Sequence, residues 1–378
     1  MTDREDKIEG KKLDLAEIRK EITKTDDEMA RLFEQRMSLV GKVAEYKKAN
    51  GLAVYDAKRE EEVLQNGAAR IQNLDYKSYY FNFQKHLMEL SRKYQSKIMT
   101  GLRVAYCGTE GAFAHIAACN IFPTAEKIAF SSFKKAYQSV EDGDCDVAVL
   151  PVENSFAGDV DQVNDLMFFG NLFVNGMYDL AVTHDLLGIP GARVNDIKTV
   201  VSHPQALSQC TSYIKEHGFK EIEYANTALA AEYVKEQNDP SIAAIASSQT
   251  AELKGLSVIA RSINDERSNT TRFAVFSRVD SRAAEHGDKP YFSLLFTARD
   301  EAGSLAEALT ILGNHGFNMR TLRSRPMKEL LWQYYFYVEA EGDIYGPEGQ
   351  AAIEEMKHCC DKIKIVGSYN NLNDVYKV

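Results

Sequence analysis

The chain has 378 residues, enough for two or three domains, and 44% of them are hydrophobic, which fits a globular class with a buried core. A formal net charge of −10 speaks against broad attraction to nucleic acid or anionic membrane, so any site for an anion must concentrate its own positive charge. No apolar run approaches roughly 18 residues, and the charged stretch Met1–Lys12 lacks the apolar core of a signal peptide, so no membrane span is expected. The six cysteines (Cys107, Cys119, Cys145, Cys210, Cys359, Cys360) show no CxxC spacing and the eight histidines no HExxH, so neither metal nor cofactor is expected and the thiols read as reduced, in the cytoplasm. From Leu13 to Lys48 the positions Leu15, Ile18, Ile22, Thr25, Met29, Leu32, Arg36, Leu39, Val43 and Tyr46 follow in alternating steps of three and four. That stripe predicts one helix, about 50 Å long, better suited to a dimer seam than to an ordinary globular core. Arg36 stands in the stripe, where a guanidinium costs several kcal/mol unless an anion meets it. Lys47, eleven residues on, falls within about 20° of the same face and about 16 Å along it. Arg19 falls about 100° off that face and serves a second site across the seam more easily. Arg36 and Lys47 either meet Glu residues of a neighbouring helix or hold a small anion, and the stripe leaves both readings open.

After Asn50-Gly51, Asp56 can cap a second helix in which Arg59 and Glu60 share a face; alone, that reads as a surface cluster. A third helix is expected from about Tyr76 to Met99, with the polar pair Ser91 and Gln95 flanking its apolar stripe. Three helices carrying Arg19, Arg36, Lys47, the run Asp56-Ala57-Lys58-Arg59-Glu60, then Ser91 and Gln95 resemble the all-helical chorismate mutases over roughly Leu15 to Ile98. The resemblance implies an intertwined dimer with Arg19 reaching into the partner's site. It implies that Arg19 and Arg36 clamp the carboxylates of chorismate, that Lys47 and Gln95 donate to its ether oxygen, and that Asp56 and Glu60 hold the ring hydroxyl, with Arg59 and Ser91 beside them. The reaction is a concerted rearrangement, so positioning and donors aimed at developing charge are what it needs.

From Gly101 short apolar strands alternate with polar turns and helices: Leu102–Cys107 before Gly108-Thr109-Glu110-Gly111, Val147–Val152 before Glu153-Asn154-Ser155, Lys198–Val201 before Ser202-His203-Pro204-Gln205, and Ile242–Ala246 before Ser247-Ser248. These junctions predict an α/β domain of parallel strands with its ligand beyond their carboxyl ends, at helix N-termini. Gly108–Gly111 matches no phosphate-binding fingerprint, and no nucleophile elbow is present. Asn269-Thr270-Thr271-Arg272-Phe273 sets a hydroxyl beside a cation at the mouth of another strand.

Taken together, Gly108-Thr-Glu-Gly-Ala-Phe, Pro151-Val-Glu-Asn-Ser, Ser202-His-Pro-Gln and Asn269-Thr-Thr-Arg-Phe resemble prephenate dehydratase over about Leu102 to Arg278. The resemblance implies a two-lobed, periplasmic-binding-protein-like domain crossed near residue 180 and again after about residue 262. It implies a prephenate cleft at Thr109, Phe113, Glu153, Asn154, Ser155, Ser202, His203, Gln205, Gln209, Thr271 and Arg272, with Thr271 the critical hydroxyl. Glu153 and His203 could each be the acid, and Arg272 could hold a carboxylate or bridge the lobes; the sequence separates neither pair.

Arg278–Pro290 reads as a linker, and beyond it the expected order is β-α-β-β-α-β. That order, with Gly303-Ser304-Leu305-Ala306 and Arg323-Ser324-Arg325-Pro326, resembles an ACT domain, which implies an α+β ferredoxin-like fold and a site for L-phenylalanine between paired copies. Arg323 stands where that family favours an acidic residue. The expected organisation is a helical mutase domain (1–100), a dehydratase domain (101–280) and a regulatory domain (288–378), in a homodimer or higher homo-oligomer without nucleic-acid partners. The expected function is conversion of chorismate through prephenate to phenylpyruvate. The rivals are an arogenate dehydratase with a vestigial helical module and, in another class, a ligand-sensing regulator.

Overall fold

The computed structural model describes residues 14–266, 268–282, 290–326, 334–370 and 372; the segment Met1–Lys12, most of the linker and Arg267 lie outside these residues. Two compact units divide at Gly101 and Leu102.

The first unit is helical: α1 (Leu15–Ala49), α2 (Ala57–Ala69) and α3 (Lys77–Thr100). Asp14 caps α1 by accepting from Ala16 N at 2.9 Å, and Gly51, at φ 63°, turns the chain out of it. Asp56 accepts from Arg59 N at 3.0 Å and so caps α2. The face of α1 that packs on α3 runs through Arg36, Met37, Val40, Gly41, Ala44 and Lys47, of which Ala44 is fully buried. A Cβ at Gly41 would stand 3.7 Å from Tyr94 and Ile98, an ordinary van der Waals contact, so the two helices pack closely here without requiring the glycine. The a/d stripe lies beside this face and stays exposed: Leu15 at 60%, Ile22 at 54%, Leu32 at 54% and Leu39 at 56%. Such a run of exposed apolar side chains is unusual on a surface that faces only solvent.

The second unit begins with β1 (Arg103–Cys107), α4 (Phe113–Ile121), β2 (Glu126–Phe130), α5 (Phe133–Glu141), β3 (Val147–Asn154), β4 (Gly158–Asp159), α6 (Asp161–Phe169) and β5 (Phe173–Ala181). The chain then crosses to β6 (Asp185–Gly188), β7 (Thr199–Ser202), α7 (Pro204–Ser208), α8 (Thr211–His217), β8 (Lys220–Glu223), α9 (Thr227–Gln237), β9 (Ile242–Ala246), α10 (Ser248–Lys254) and β10 (Ser257–Ala260), and returns as β11 (Thr270–Ser277). One lobe holds the sheet β2-β1-β3-β11-β5, with β4 beside β3; the other holds β10-β6-β9-β7-β8. The expected crossing points are those observed. The sheets, however, are mixed rather than wholly parallel. β11 arrives from the second lobe and inserts antiparallel between β3 and β5, and β6 runs antiparallel to β9. Burial on both faces makes these strands read as continuous apolar runs, which hides their direction in the sequence.

The remaining elements are β12 (Tyr291–Ala298), α11 (Ser304–Asn314), β13 (Asn318–Pro326), β14 (Tyr334–Glu341), α12 (Pro347–Met356) and β15 (Cys360–Tyr369), in an antiparallel sheet of order β13-β14-β12-β15. One face of this sheet packs on its helices through Phe292, Leu294, Ala308, Leu312 and Met356. The other packs on the first lobe, where Leu295, Tyr335, Tyr337, Val366 and Tyr369 join the core of Val152, Met167 and Val174. No helix among the described residues is long and apolar enough to cross a membrane.

Candidate functional sites

In the helical unit the inner face of α1 brings Arg36 against Ser91, and its guanidinium donates to the Ser91 hydroxyl, itself tied to Leu87 O at 2.6 Å. Burial lowers the pKa of Arg36, and among the described residues no carboxylate pairs with it. Gln95, one turn beyond Ser91, is 9% exposed and its Oε1 is buried without a hydrogen-bond partner. An uncompensated cation at Ser91 and an orphaned amide oxygen one turn further along α3 are costly in a folded chain unless a polar ligand meets them. Lys47 donates to Val54 O at 2.6 Å, which holds the ammonium over the α1–α2 connection and leaves two of its three protons for other acceptors. Glu60 pairs with Arg92, a residue that the sequence reading missed. Arg59 pairs with Glu62 at 3.3 Å on the surface, and Asp56 serves as the cap of α2. Arg19 is exposed, about 25 Å along α1 from Arg36.

Between the two lobes lies a cleft of about 500 Å³, lined by Gly108, Phe113, Asn154, Asp159, His184, His203, Gln205, Gln209, Asn226 and Thr271 among others. A chain of hydrogen bonds runs along its wall. Asn154 Oδ1 accepts from the backbone of Phe156 and Ala157 at 3.0 and 2.8 Å, which fixes the amide so that Nδ2 donates to Asn269 Oδ1 and Thr271 Oγ1, both at 2.8 Å. Asn269 must then donate to Gln209 Oε1, at 2.8 Å, and His184 Nε2 donates to the same oxygen at 3.0 Å. Burial lowers the pKa of His184, so the ring is neutral, protonated on Nε2, and its Nδ1 is buried without a partner. At the other end Thr271 accepts from Asn154, so its own O–H proton is free to point into the cleft. The backbone amides of Phe156 and Ala157 thus set the direction of the Thr271 hydroxyl and of a chain that reaches His184 through four hydrogen bonds.

The elements explain these placements. Thr271 and Asn154 are cross-strand partners of β11 and β3, at the carboxyl end of one and the start of the other. Gln205 lies in the first turn of α7 and Gln209 caps its end, and His203 caps its start by accepting from Gln205 N at 3.3 Å. Across the cleft, Thr109 Oγ1 donates to Asn226 Oδ1 at 3.4 Å and Thr250 Oγ1 to Gly111 O at 2.8 Å, so Thr and Asn side chains join the lobes.

Several expected residues stand elsewhere. Glu153 faces the C-terminal sheet and pairs with Arg323 at 2.5 Å, because it follows the opposite pleat from Asn154. Arg272 likewise turns from the cleft; it grips Asp179 at 2.8 and 3.2 Å and reaches Glu339 at 3.4 Å, and the Asp179 bond holds its pKa above the ordinary guanidinium value. Its bridge therefore joins the first lobe to the C-terminal sheet, not one lobe to the other. Ser202 is fully buried, donating to Ile245 O at 2.6 Å, and Ser155 bonds Ser268 O and Thr270 N. Sequence reasoning missed His184, Asp159, Asn226 and Thr227. The carboxyl of Asp159 is pushed up by burial, against the pull of Arg323 at 3.0 Å.

In the C-terminal sheet a second cavity, about 490 Å³, is lined by Thr297, Arg299, Asp300, Gly303, Leu305, Ala306, Tyr334 and Phe336. Gly303, at φ 93°, adopts the left-handed turn that starts α11, and Ser304 is buried beneath it. Arg323, Ser324, Arg325 and Pro326 lie on β13 outside this cavity, with Arg323 and Arg325 on the half-buried face and Ser324 and Pro326 exposed. His286 and the other residues 283–289 of the expected linker, and residues 327–333 before Tyr334, lie outside the described residues.

Comparison with known proteins covers both units. The prephenate dehydratase family matches residues 104–281 and the chorismate mutase type II family residues 18–96. A bifunctional chorismate mutase/prephenate dehydratase of Aquifex aeolicus is 31% identical over 94% of this chain and 98% of its own length. The structure of a prephenate dehydratase from Arthrobacter aurescens in complex with L-Phe is 26% identical, with a TM-score of 0.66 over 72% of this chain and 91% of that one. A quorum quenching acylase, GqqA, is 32% identical, with a TM-score of 0.66 over 71% of this chain and 98% of its own. With both family matches in order and a relative aligned from end to end, the chain belongs to the bifunctional chorismate mutase/prephenate dehydratase family.

Proposed function

We propose that the helical unit rearranges chorismate to prephenate at the inner face of α1, and that the interlobe cleft converts prephenate to phenylpyruvate. The observation that carries the first step is the half-buried Arg36 without a carboxylate beside the orphaned Gln95 oxygen. A dicarboxylate supplies the missing charge, with Ser91 steering the guanidinium and Lys47 and Gln95 meeting the ether oxygen as its bond breaks. Glu60, held by Arg92, faces the ring hydroxyl. Arg19 and the exposed α1 stripe support a second copy of the chain as the cover of this face, with Arg19 completing the partner's site.

In the cleft, prephenate loses its ring hydroxyl and its ring carboxylate. The C–C bond pair moves into the ring as carbon dioxide departs, and the hydroxyl leaves as water once protonated. Thr271 directs its O–H to the leaving oxygen, oriented by Asn154. We assign the proton to Asp159, the cleft carboxyl that burial pushes up, as a general acid requires. His203, Gln205 and Asn226 line the facing wall.

The β-α-β-β-α-β order supports an ACT-type regulatory domain, with L-phenylalanine at the cavity of Gly303, Leu305 and Ala306. A cytoplasmic location accords with six unpaired cysteines. One assay tests the reading: purified chain given chorismate alone should yield phenylpyruvate, and added phenylalanine should slow the second step. Prephenate accumulating without phenylpyruvate would reject the dehydratase half.

A further inference from the structure

The C-terminal sheet holds the cleft from behind with three cations. Arg323 Nη2 meets Glu153 Oε2 at 2.5 Å and its Nε meets Asp159 Oδ1 at 3.0 Å, while the Tyr337 ring centroid lies 5.7 Å away. Arg325, two residues on and on the same pleat, pairs with Asp161 and reaches Asp165 at 3.5 Å. Lys364, on β15, donates to Met167 O at 2.8 Å, Phe168 O at 3.4 Å and Gly170 O, and so occupies the carbonyl end of α6. The elements gripped are consecutive: the β3–β4 hairpin, then α6.

The hairpin is the part of this grip that belongs to the cleft. It carries Asn154, which orients Thr271, and Ala157, Gly158 and Asp159, all lining the cavity. Glu153 and Asp159 are direct cross-strand partners, and like charges so placed repel. Arg323 stands between them and closes the hairpin electrostatically. An acidic residue at 323, the type that the ACT resemblance favours there, would add a third negative charge.

We propose that Arg323 is a positioning residue of the dehydratase site: through Glu153 and Asp159 it sets the hairpin that aims Asp159 and Asn154, making the C-terminal sheet part of the catalytic wall. This rests on the dehydratase reading and extends it. Arg325 binds the next element by the same chemistry, yet touches no cleft residue, which separates aiming the hairpin from merely docking two layers.

The experiment compares Arg323→Met, Arg323→Lys and Arg325→Met in the full chain. Arg323→Met should lower dehydratase kcat roughly 10- to 100-fold at nearly unchanged KM, since its loss is felt where Asp159 and Thr271 meet the transition state. Arg323→Lys, which keeps one charge contact, should recover part of that loss. With Arg323 gone, Glu153 and Asp161 still face Asp159 and Arg325 pulls against them, so the alkaline limb of the pH profile, set by loss of the Asp159 proton, should move to higher pH. Mutase turnover should be unchanged in all three, and Arg325→Met should lower the melting midpoint while keeping kcat. Equal kcat losses in the two Met variants, or none in Arg323→Met, would overturn the assignment. Wild-type chain without dehydratase turnover would instead remove the reading on which it rests.

Discussion

Arg36 and Arg272 are both half-buried guanidiniums, and they show opposite ways of holding a buried charge. Arg272 is met by Asp179 and Glu339, with Tyr369 donating to Glu339 at 2.8 Å, so its surroundings are complete within the chain. Arg36 is met by one serine hydroxyl, and burial lowers its pKa where contact with carboxylates raises that of Arg272. The comparison teaches that proximity to a reacting hydroxyl says little about a cation's role. Arg272 is adjacent in sequence to Thr271 and serves the scaffold; Arg36, which lies between Gln35 and Met37 in the middle of a long helix, is the one left in need of an anion.

The sharpest break between the two regions comes from Thr271. Replacing it with Ala removes the oriented donor of the cleft and touches nothing in the helical unit. Dehydratase turnover should fall roughly 10³-fold, with mutase turnover intact. Loss of both activities together would refute separate sites. The counterpart in the helical unit is Lys47→Ala. There, mutase kcat should drop roughly 10²- to 10³-fold, well beyond any change in KM, because the donor acts on charge that develops only as the ether bond breaks. Normal turnover in that variant would exclude Lys47 from the reaction.

Arg272→Met sharpens the comparison from the scaffold side. It takes the guanidinium away from Asp179, about 30% exposed, and Glu339, which is 9% exposed, so unfolding should become easier by about 2 kcal/mol after allowance for solvent screening. Denaturant titration measures that, and turnover at saturating prephenate should hold. A variant of normal stability with a collapsed turnover would return Arg272 to the cleft.

How much of this the sequence exposed depends on how local each signal is. The span of α1 and the shared face of Arg36 and Lys47 follow from helical periodicity, which needs no partner. The sequence reading placed the a/d stripe and Arg36 on one seam, whereas in the chain the stripe is exposed and Arg36 turns toward α3, a shift of one residue's angle that periodicity alone does not resolve. Thr271 and Asn154 fall at strand ends, where polar residues after an apolar run mark a cleft. Glu153 and Arg272 carry the same local signature as their neighbours, and only the pleat turns them away. His184 sits in the crossover between lobes, where no period operates. Arg323 meets Glu153 across 170 positions of sequence, a pairing that residue types alone do not announce.

The smallest expected effect concerns a cation held at the surface of the C-terminal sheet, His315, between α11 and α12. Its Nδ1 meets Glu348 at 2.8 Å and its Nε2 meets Glu355 at 3.0 Å, so both ring nitrogens face carboxylates, a setting that suits the imidazolium. Those hydrogen bonds, to Glu348 first and Glu355 next, raise its pKa above the ordinary histidine value. A group whose folded pKa exceeds its unfolded value stabilises fully below the unfolded value, about 6.5, and loses that contribution as pH climbs through the raised one. The melting midpoint of wild type should therefore exceed that of His315→Gln in mildly acidic buffer, and the gap should close in alkaline buffer. Added salt should narrow it at acidic pH, because both carboxylates are exposed to solvent. A gap that persists unchanged into alkaline buffer would mean that His315 acts by packing, and the comparison of buried cations would then stop at Arg36 and Arg272.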